Sequence, residues 1–382
     1  LYCIVISLSA QPSVENIWQV QDSVGLYDKF EVRLHLNASF ENPFDPEDID
    51  VSATFKSPTG RVLQLHVFYS TASWTGWMVR FSANETGLWT YTLKVQDKNG
   101  IGTSEERTFR VVKSSFHGPI RVAQNKRYLE YADGTSFYGV GFWYNGMVKP
   151  EVLDQLKDLG VNFISNFITP LETWASGVGR YDQLVCDRID QMVGLLEERD
   201  MQLSLNLWFH SFLSETVWGG GNIRWYANPY ATVTSARNFF SSEEAWKYQE
   251  KLYRYMIARW GYSRSLAIWF IVDEVNGTDG WGSGDSLGAA AWGKKIHDYF
   301  KANDPWQHLT TGTRSGGIKE WWQEGYEVFD LPGREIYEAQ GFPIIMNGRI
   351  ESSEIHPLTS SYRNYAGQVQ KLWNNFNKPC II

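Results

Sequence analysis

The chain has 382 residues, 43% of them hydrophobic and 15% aromatic, with a formal net charge of −8. That length can bury one large core or two ordinary ones. A negative balance with only 20% charged residues argues against a nucleic-acid partner, which would need a basic face.

The first ten residues, Leu1 to Ala10, form an apolar run ending in small side chains. They read as the remnant of a signal peptide, and ten residues are too few to span a bilayer. The expectation is export, secreted or periplasmic, with no membrane association once the signal is removed. Cys3 falls in that remnant, and Cys186 and Cys380 are expected as buried thiols rather than a disulfide framework.

Residues 14–113 alternate apolar and polar positions in short runs, such as Phe30 to Leu36, Val51 to Phe55, Trp77 to Phe81, Leu88 to Val95 and Arg107 to Val112. Turn signals separate them, among them Ser57-Pro-Thr-Gly60 and Glu85-Thr-Gly87. Period-two strands at this spacing predict an antiparallel, immunoglobulin-like β-sandwich of roughly 100 residues.

From about Gly118 the pattern becomes strand, helix, strand, helix. The predicted strands are Ser136–Phe142, Val161–Phe167, Met201–Trp208, Leu266–Glu274 and His308–Gly312, with a sixth within Val328–Tyr337 and a seventh beginning at Lys378. Helices are predicted over Glu151–Leu159, from an Asp182 N-cap to Arg199, and over Glu243–Trp260, Leu287–Lys301 and Tyr365–Phe376. Repeated βα units without a glycine-rich phosphate turn predict a (β/α)8 TIM barrel over residues 118–382 rather than a dinucleotide-binding sheet.

The run Leu266-Ala-Ile-Trp-Phe-Ile-Val-Asp-Glu-Val275 carries the chemistry. An apolar strand ends in Asp273 and Glu274, and a loop with Gly277 and Trp281 follows. A carboxylic acid at a strand end beside an indole suits sugar cleavage: the acid protonates the glycosidic oxygen and the indole offers a flat face to a pyranose. The other strand ends supply Trp143, Asn166, Trp208, His210 and Thr313, and the loop after the third strand carries Trp218-Gly-Gly-Gly-Asn222; together they describe a saccharide cleft binding a polysaccharide or oligosaccharide. The seven His include no two at ligand spacing, so no metal and no cofactor are expected.

The order of Ala258-Arg-Trp-Gly-Tyr-Ser263, Trp269 and Glu274 resembles the fourth βα unit of the retaining, cellulase-like glycoside hydrolases of clan GH-A. Gly179-Arg-Tyr-Asp182 and Asn303-Asp-Pro-Trp-Gln-His308 are similar to one subgroup, in which a β-sandwich domain of unknown function (5060 type) precedes the barrel. Asn42-Pro-Phe-Asp45 and Gly87-Leu-Trp-Thr-Tyr91 resemble that sandwich. The resemblance implies Glu274 as general acid/base, His210 as a rim residue holding sugar, and Tyr337 as the tyrosine that positions the nucleophile.

Two departures accompany it. The clan has Asn before the acid, where this chain has Asp273, so the contact to the sugar 2-hydroxyl must differ. Retaining double displacement also needs a second carboxylate roughly 5 Å from the first. The clan carries it at the end of strand seven, so the expectation is a C-terminally truncated barrel whose nucleophile lies beyond Ile382, leaving the fragment inactive. Glu172, Glu335 and Glu338 are weaker substitutes. The competing expectation is a non-catalytic carbohydrate-binding protein.

Overall fold

Side-chain alternation builds the first unit. In the computed structural model, which describes residues 10–144, 146–167, 170–316, 321–335, 344–346, 349–351 and 359–381, the strand Gly87–Asp97 buries Trp89, Tyr91, Leu93 and Val95 and turns the residues between them outward. That is the period-two pattern of a strand with one face on a core. The strand pairs with Asp50–Lys56 and Arg107–Val112 in one sheet, while Ser13–Gln19, Lys29–Asn37, Trp77–Ser82 and Phe68–Tyr69 form another. Phe30 and Phe81 from the second sheet meet Phe109 and Phe55 from the first, stacked at 3.8 and 4.3 Å between ring centroids. These rings make a dry interior, with apolar burial the main driving force. Gly87 has φ +131°, and a Cβ there would come within 2.7 Å of Pro58, so the turn before the strand requires glycine.

Two compact units partition the chain. One comprises Leu1–Phe116 with Lys251–Tyr262, the other His117–Glu250 with Ser263–Ile382. The second begins with a small antiparallel sheet of Ile120–Val122, Leu129–Tyr131 and Ser136–Phe137. Six parallel strands then follow in consecutive order: Gly141–Tyr144, Phe163–Phe167, Gln202–Trp208, Leu266–Val272, Leu309–Ser315 and Leu331–Glu335. The fourth is buried along its whole length, as expected of a parallel strand covered on both faces. Its Ile268 and Phe270 join a core with Leu309, Leu331 and Phe137. Trp269 points the other way and stacks at 4.8 Å on Phe300 of the helix Ser286–Asn303.

The (β/α)8 barrel expected from the repeated units is not what forms. A barrel closes only when its last strand pairs along its first. On the outer side of Gly141–Tyr144 lies Ile344–Met346, aligned parallel at a single pair, Tyr144 with Ile345, and continued antiparallel by Arg349–Glu351. On the far edge, Gly333 makes one parallel bridge to Ile381. Among the described residues the result is a mixed, open sheet around a six-stranded parallel half-barrel, with few helices. The predicted first strand also divides: Ser136–Phe137 pairs antiparallel with Leu129–Glu130, and Gly141–Tyr144 starts the parallel sheet.

The sequence motifs explain local joints. Asp182 accepts from the backbone N–H of Leu184 and Val185 and caps the helix Gln183–Glu197. Asp285 caps Ser286–Asn303 through Gly288. Asp304 accepts from Trp269 Nε1 at 2.9 Å and meets His308 Nδ1 at 2.7 Å. Burial would raise its carboxyl; His308, Trp269 and a backbone donor at Trp306 outweigh burial and hold it below the usual range. This buried joint ties strand four to the turn entering strand five.

Candidate active site

Parallel strands end on one edge of their sheet, which is where open α/β sheets bind ligands. Asp273 and Glu274 follow strand four, His210 follows strand three, and Thr313 lies near the end of strand five. Asp273 accepts from the His210 backbone N–H through Oδ1 at 3.0 Å. The His210 Nδ1 then lies 3.2 Å from Glu274 Oε2 and 3.5 Å from Asp273 Oδ2. One buried ring nitrogen thus stands against a carboxyl oxygen of each acid. On the other side of the ring, Nε2 faces Asn222 Oδ1 at 3.3 Å.

The surroundings of the ring favour its charged form, with Asn222 on one side and the two acids on the other. Burial pulls the His210 pKa down, but Asp273, Glu274 and Asn222 outweigh it and the net direction is up. The Asp273 carboxyl moves up as well, chiefly through burial and further through the neighbouring Glu274 charge, against the opposing pull of His210. Asp273 is sealed at 2% exposure, whereas Glu274 retains 9% and is the acid of the pair that still meets solvent.

Glu274 sits in left-handed backbone, φ 42° and ψ 51°. For a residue with a Cβ that costs on the order of 1 kcal/mol. The conformation is held from both sides: its N–H donates to Thr313 Oγ1 at 2.9 Å, and its carbonyl accepts from Gly277 N–H at 2.6 Å. Asn276 zips the same loop to strand five, donating to the Ser315 carbonyl at 3.2 Å and accepting from its N–H at 3.0 Å. Gly277 has no room for a side chain. A Cβ would stand 2.5 Å from the Trp218 ring and 2.9 Å from His210. Trp218, half exposed, lies edge-to-face with His210 at 5.1 Å and gives the site its open aromatic wall.

The other sequence-predicted residues are placed differently. Trp208 is buried against Tyr230 and Phe239 and is a core side chain, not a sugar platform. Trp143 packs edge-on against Phe167 at 4.4 Å and joins the sheet's interior core. Asn166 donates its amide to the carbonyls of Tyr144 and Gly146, so it braces the end of strand one. Trp281 is partly exposed, with the Arg314 guanidinium 5.7 Å from its ring and Trp322 edge-on. Tyr337 and Glu338 lie outside the described residues. Trp218, Asn222 and Thr313, which the sequence places at the strand-end rim without a role for each, meet His210 and Glu274 here.

Glu172 fails as a second reacting carboxylate. It is buried and accepts from the Gly179 N–H at 2.7 Å, and burial pushes it up to about 8. Burial thus favours its neutral form, which speaks against a nucleophile's role. Glu335 ends strand six and accepts from the Thr313 hydroxyl. Among the described residues, His210, Asp273 and Glu274 also offer one donor atom each within 4.8 Å of one another, a spacing that could hold a cation. The fold creates this cluster from positions with no ligand spacing in the sequence.

Residues 23–96 match a domain of unknown function (DUF5060). Among solved structures, the chain is similar to one from Bacteroides vulgatus described as a "putative glycoside hydrolase", at 19% identity and a TM-score of 0.59, covering 83% of this chain and 60% of that one. It thus spans about three-fifths of that protein, and the likeness is one of fold. Two β-glucuronidase structures also match: Bacteroides uniformis β-glucuronidase 2 at 13% identity, covering 97% and 41% of the two chains at a TM-score of 0.43, and the Lactobacillus rhamnosus enzyme at 14%, covering 97% and 53% at 0.42. Scores that low say nothing further about this chain. No curated protein matches it.

Proposed function

We propose that this protein is a glycoside hydrolase acting on β-linked polysaccharides or oligosaccharides, with Glu274 as the proton donor. The observation that carries the proposal is the Glu274 carboxyl at a parallel-strand end, 3.2 Å from a buried histidine whose ring in turn meets a half-exposed tryptophan. Glu274 would protonate the leaving glycosidic oxygen and then, in a retaining double displacement, take the proton from the attacking water. His210 would hold the acid in place, and Trp218 would stack on the sugar. Asp273, buried and accepting from the His210 backbone N–H, would hold that histidine in register rather than touch the sugar. The chain's likeness to cellulase-like retaining enzymes supports the reading residue by residue at Glu274 and His210. The second carboxylate is left unassigned.

One observation favours a non-catalytic carbohydrate-binding protein: both carboxylates already face His210 and are largely buried. We infer an extracytoplasmic location, and no described helix is long and apolar enough to cross a membrane. Hydrolysis of a panel of β-glycans by the protein and its Glu274→Gln variant tests the proposal. Cleavage lost about a hundredfold or more in the variant supports the enzyme. Glycan binding without cleavage by either protein supports the binder.

A further inference from the structure

The backbone of Glu274 is fixed by a side chain from the next strand, and that side chain is itself fixed by a carboxylate from the strand beyond. The Thr313 hydroxyl has one proton to give and lone pairs to accept with. It accepts from the Glu274 N–H at 2.9 Å and gives its proton to Glu335 Oε1 at 2.5 Å. Both partners are thereby specified: the hydroxyl faces the Glu274 amide with a lone pair because Glu335 takes its hydrogen. The Thr313 methyl is placed too. It sits 2.8 Å from where a Cβ on Gly333 would be, and Gly333 is the residue paired with Thr313 across strands five and six. Only glycine there lets the methyl fill that space and leaves the hydroxyl on the Glu274 side. Thr313 is 3% exposed, so water competes little for either bond.

We propose that Glu335 is a positioning residue for Glu274: acting through Thr313, it holds the left-handed turn that aims the Glu274 carboxyl at His210. This rests on the reading of Glu274 as the proton donor. Glu335 does not touch substrate in this role. Without it the Thr313 hydroxyl is free to turn its proton toward the Glu274 N–H, and the strained backbone loses its acceptor. A carboxyl displaced by about an ångström loses on the order of a hundredfold in rate.

The test uses the full chain with Glu335→Ala, Glu335→Gln, Thr313→Val and Thr313→Ser. Two quantities are measured: kcat and KM on the best cleaved glycan, and hydrogen exchange at the Glu274 amide. E335A and T313V should lower kcat about a hundredfold, leave KM within a few-fold, and speed exchange at residue 274. E335Q keeps an oxygen acceptor and T313S keeps the hydroxyl, so each should recover most of both losses. The proposal is overturned if E335A leaves exchange and kcat as in the parent protein. It is also overturned if E335Q is as inactive as E335A with exchange at 274 unchanged, which would make Glu335 a reacting carboxylate. A parent protein that cleaves no glycan counts against the hydrolase reading of this chain, while the exchange pattern alone decides whether the Glu335–Thr313–Glu274 relay exists.

Discussion

His210 Nδ1 lies 3.2 Å from Glu274 Oε2 and 3.5 Å from Asp273 Oδ2, so one buried ring serves two acids. Removing it takes away the one ring that faces both acids. His210→Ala should therefore destabilise the protein by about 3 kcal/mol, the cost typical of breaking a buried ion pair from one side. Urea denaturation at pH 7 measures it. A loss under about 0.5 kcal/mol would mean that water already compensates the acids.

Gly277→Ala should be damaging although its backbone is ordinary. The added methyl would collide with the Trp218 ring at 2.5 Å. Overpacking of this kind costs about 1–3 kcal/mol, or pushes the indole out of the site. Either outcome should appear as a lower Tm or a changed tryptophan emission. A variant unchanged in both would place Trp218 elsewhere in solution.

Trp218→Ala should raise KM about fivefold or more with little change in kcat, because the indole contributes binding area rather than proton transfer. An unchanged KM on every cleaved glycan would remove Trp218 from the binding surface.

Glu172 predicts a pH dependence of stability. Its carboxyl is held near 8 in the folded chain against an ordinary value of 4.5. Between those values the folded state binds the proton and the unfolded state releases it. The unfolded state therefore gains as pH rises, and stability falls from about pH 4.5 to about pH 8. Glu172→Gln keeps an oxygen for the Gly179 N–H but cannot ionise. That variant should lose this part of the slope and be the more stable protein at pH 8. Parallel stability curves for the two proteins would contradict the assignment.

Much of the scaffold was legible because it rests on local pattern. The run Leu266–Val272 declares a buried strand, and Asp182 declares a helix start. What escaped depends on non-local contacts. Ser136–Phe142 reads as one strand, yet Tyr138 and Val140 face solvent and the chain changes sheets there. Barrel closure was inferred from repetition alone, and repetition does not say which segment pairs with the first strand. The tryptophans at strand ends looked equivalent in the sequence. The fold buries Trp208 and half-buries Trp143, and brings Trp218 from a loop to the imidazole instead. Thr313 was legible as a strand-end residue but its role was not, since that depends on its hydroxyl meeting Glu274.

The most direct test of Glu274 as proton donor compares aryl β-glycosides whose leaving groups differ in basicity. A poor leaving group needs a proton as its bond breaks, and a good one does not. Glu274→Gln should slow cleavage of the poor leaving group a hundredfold or more while leaving the best one much less affected. Equal rates for parent and variant across the series would contradict the assignment.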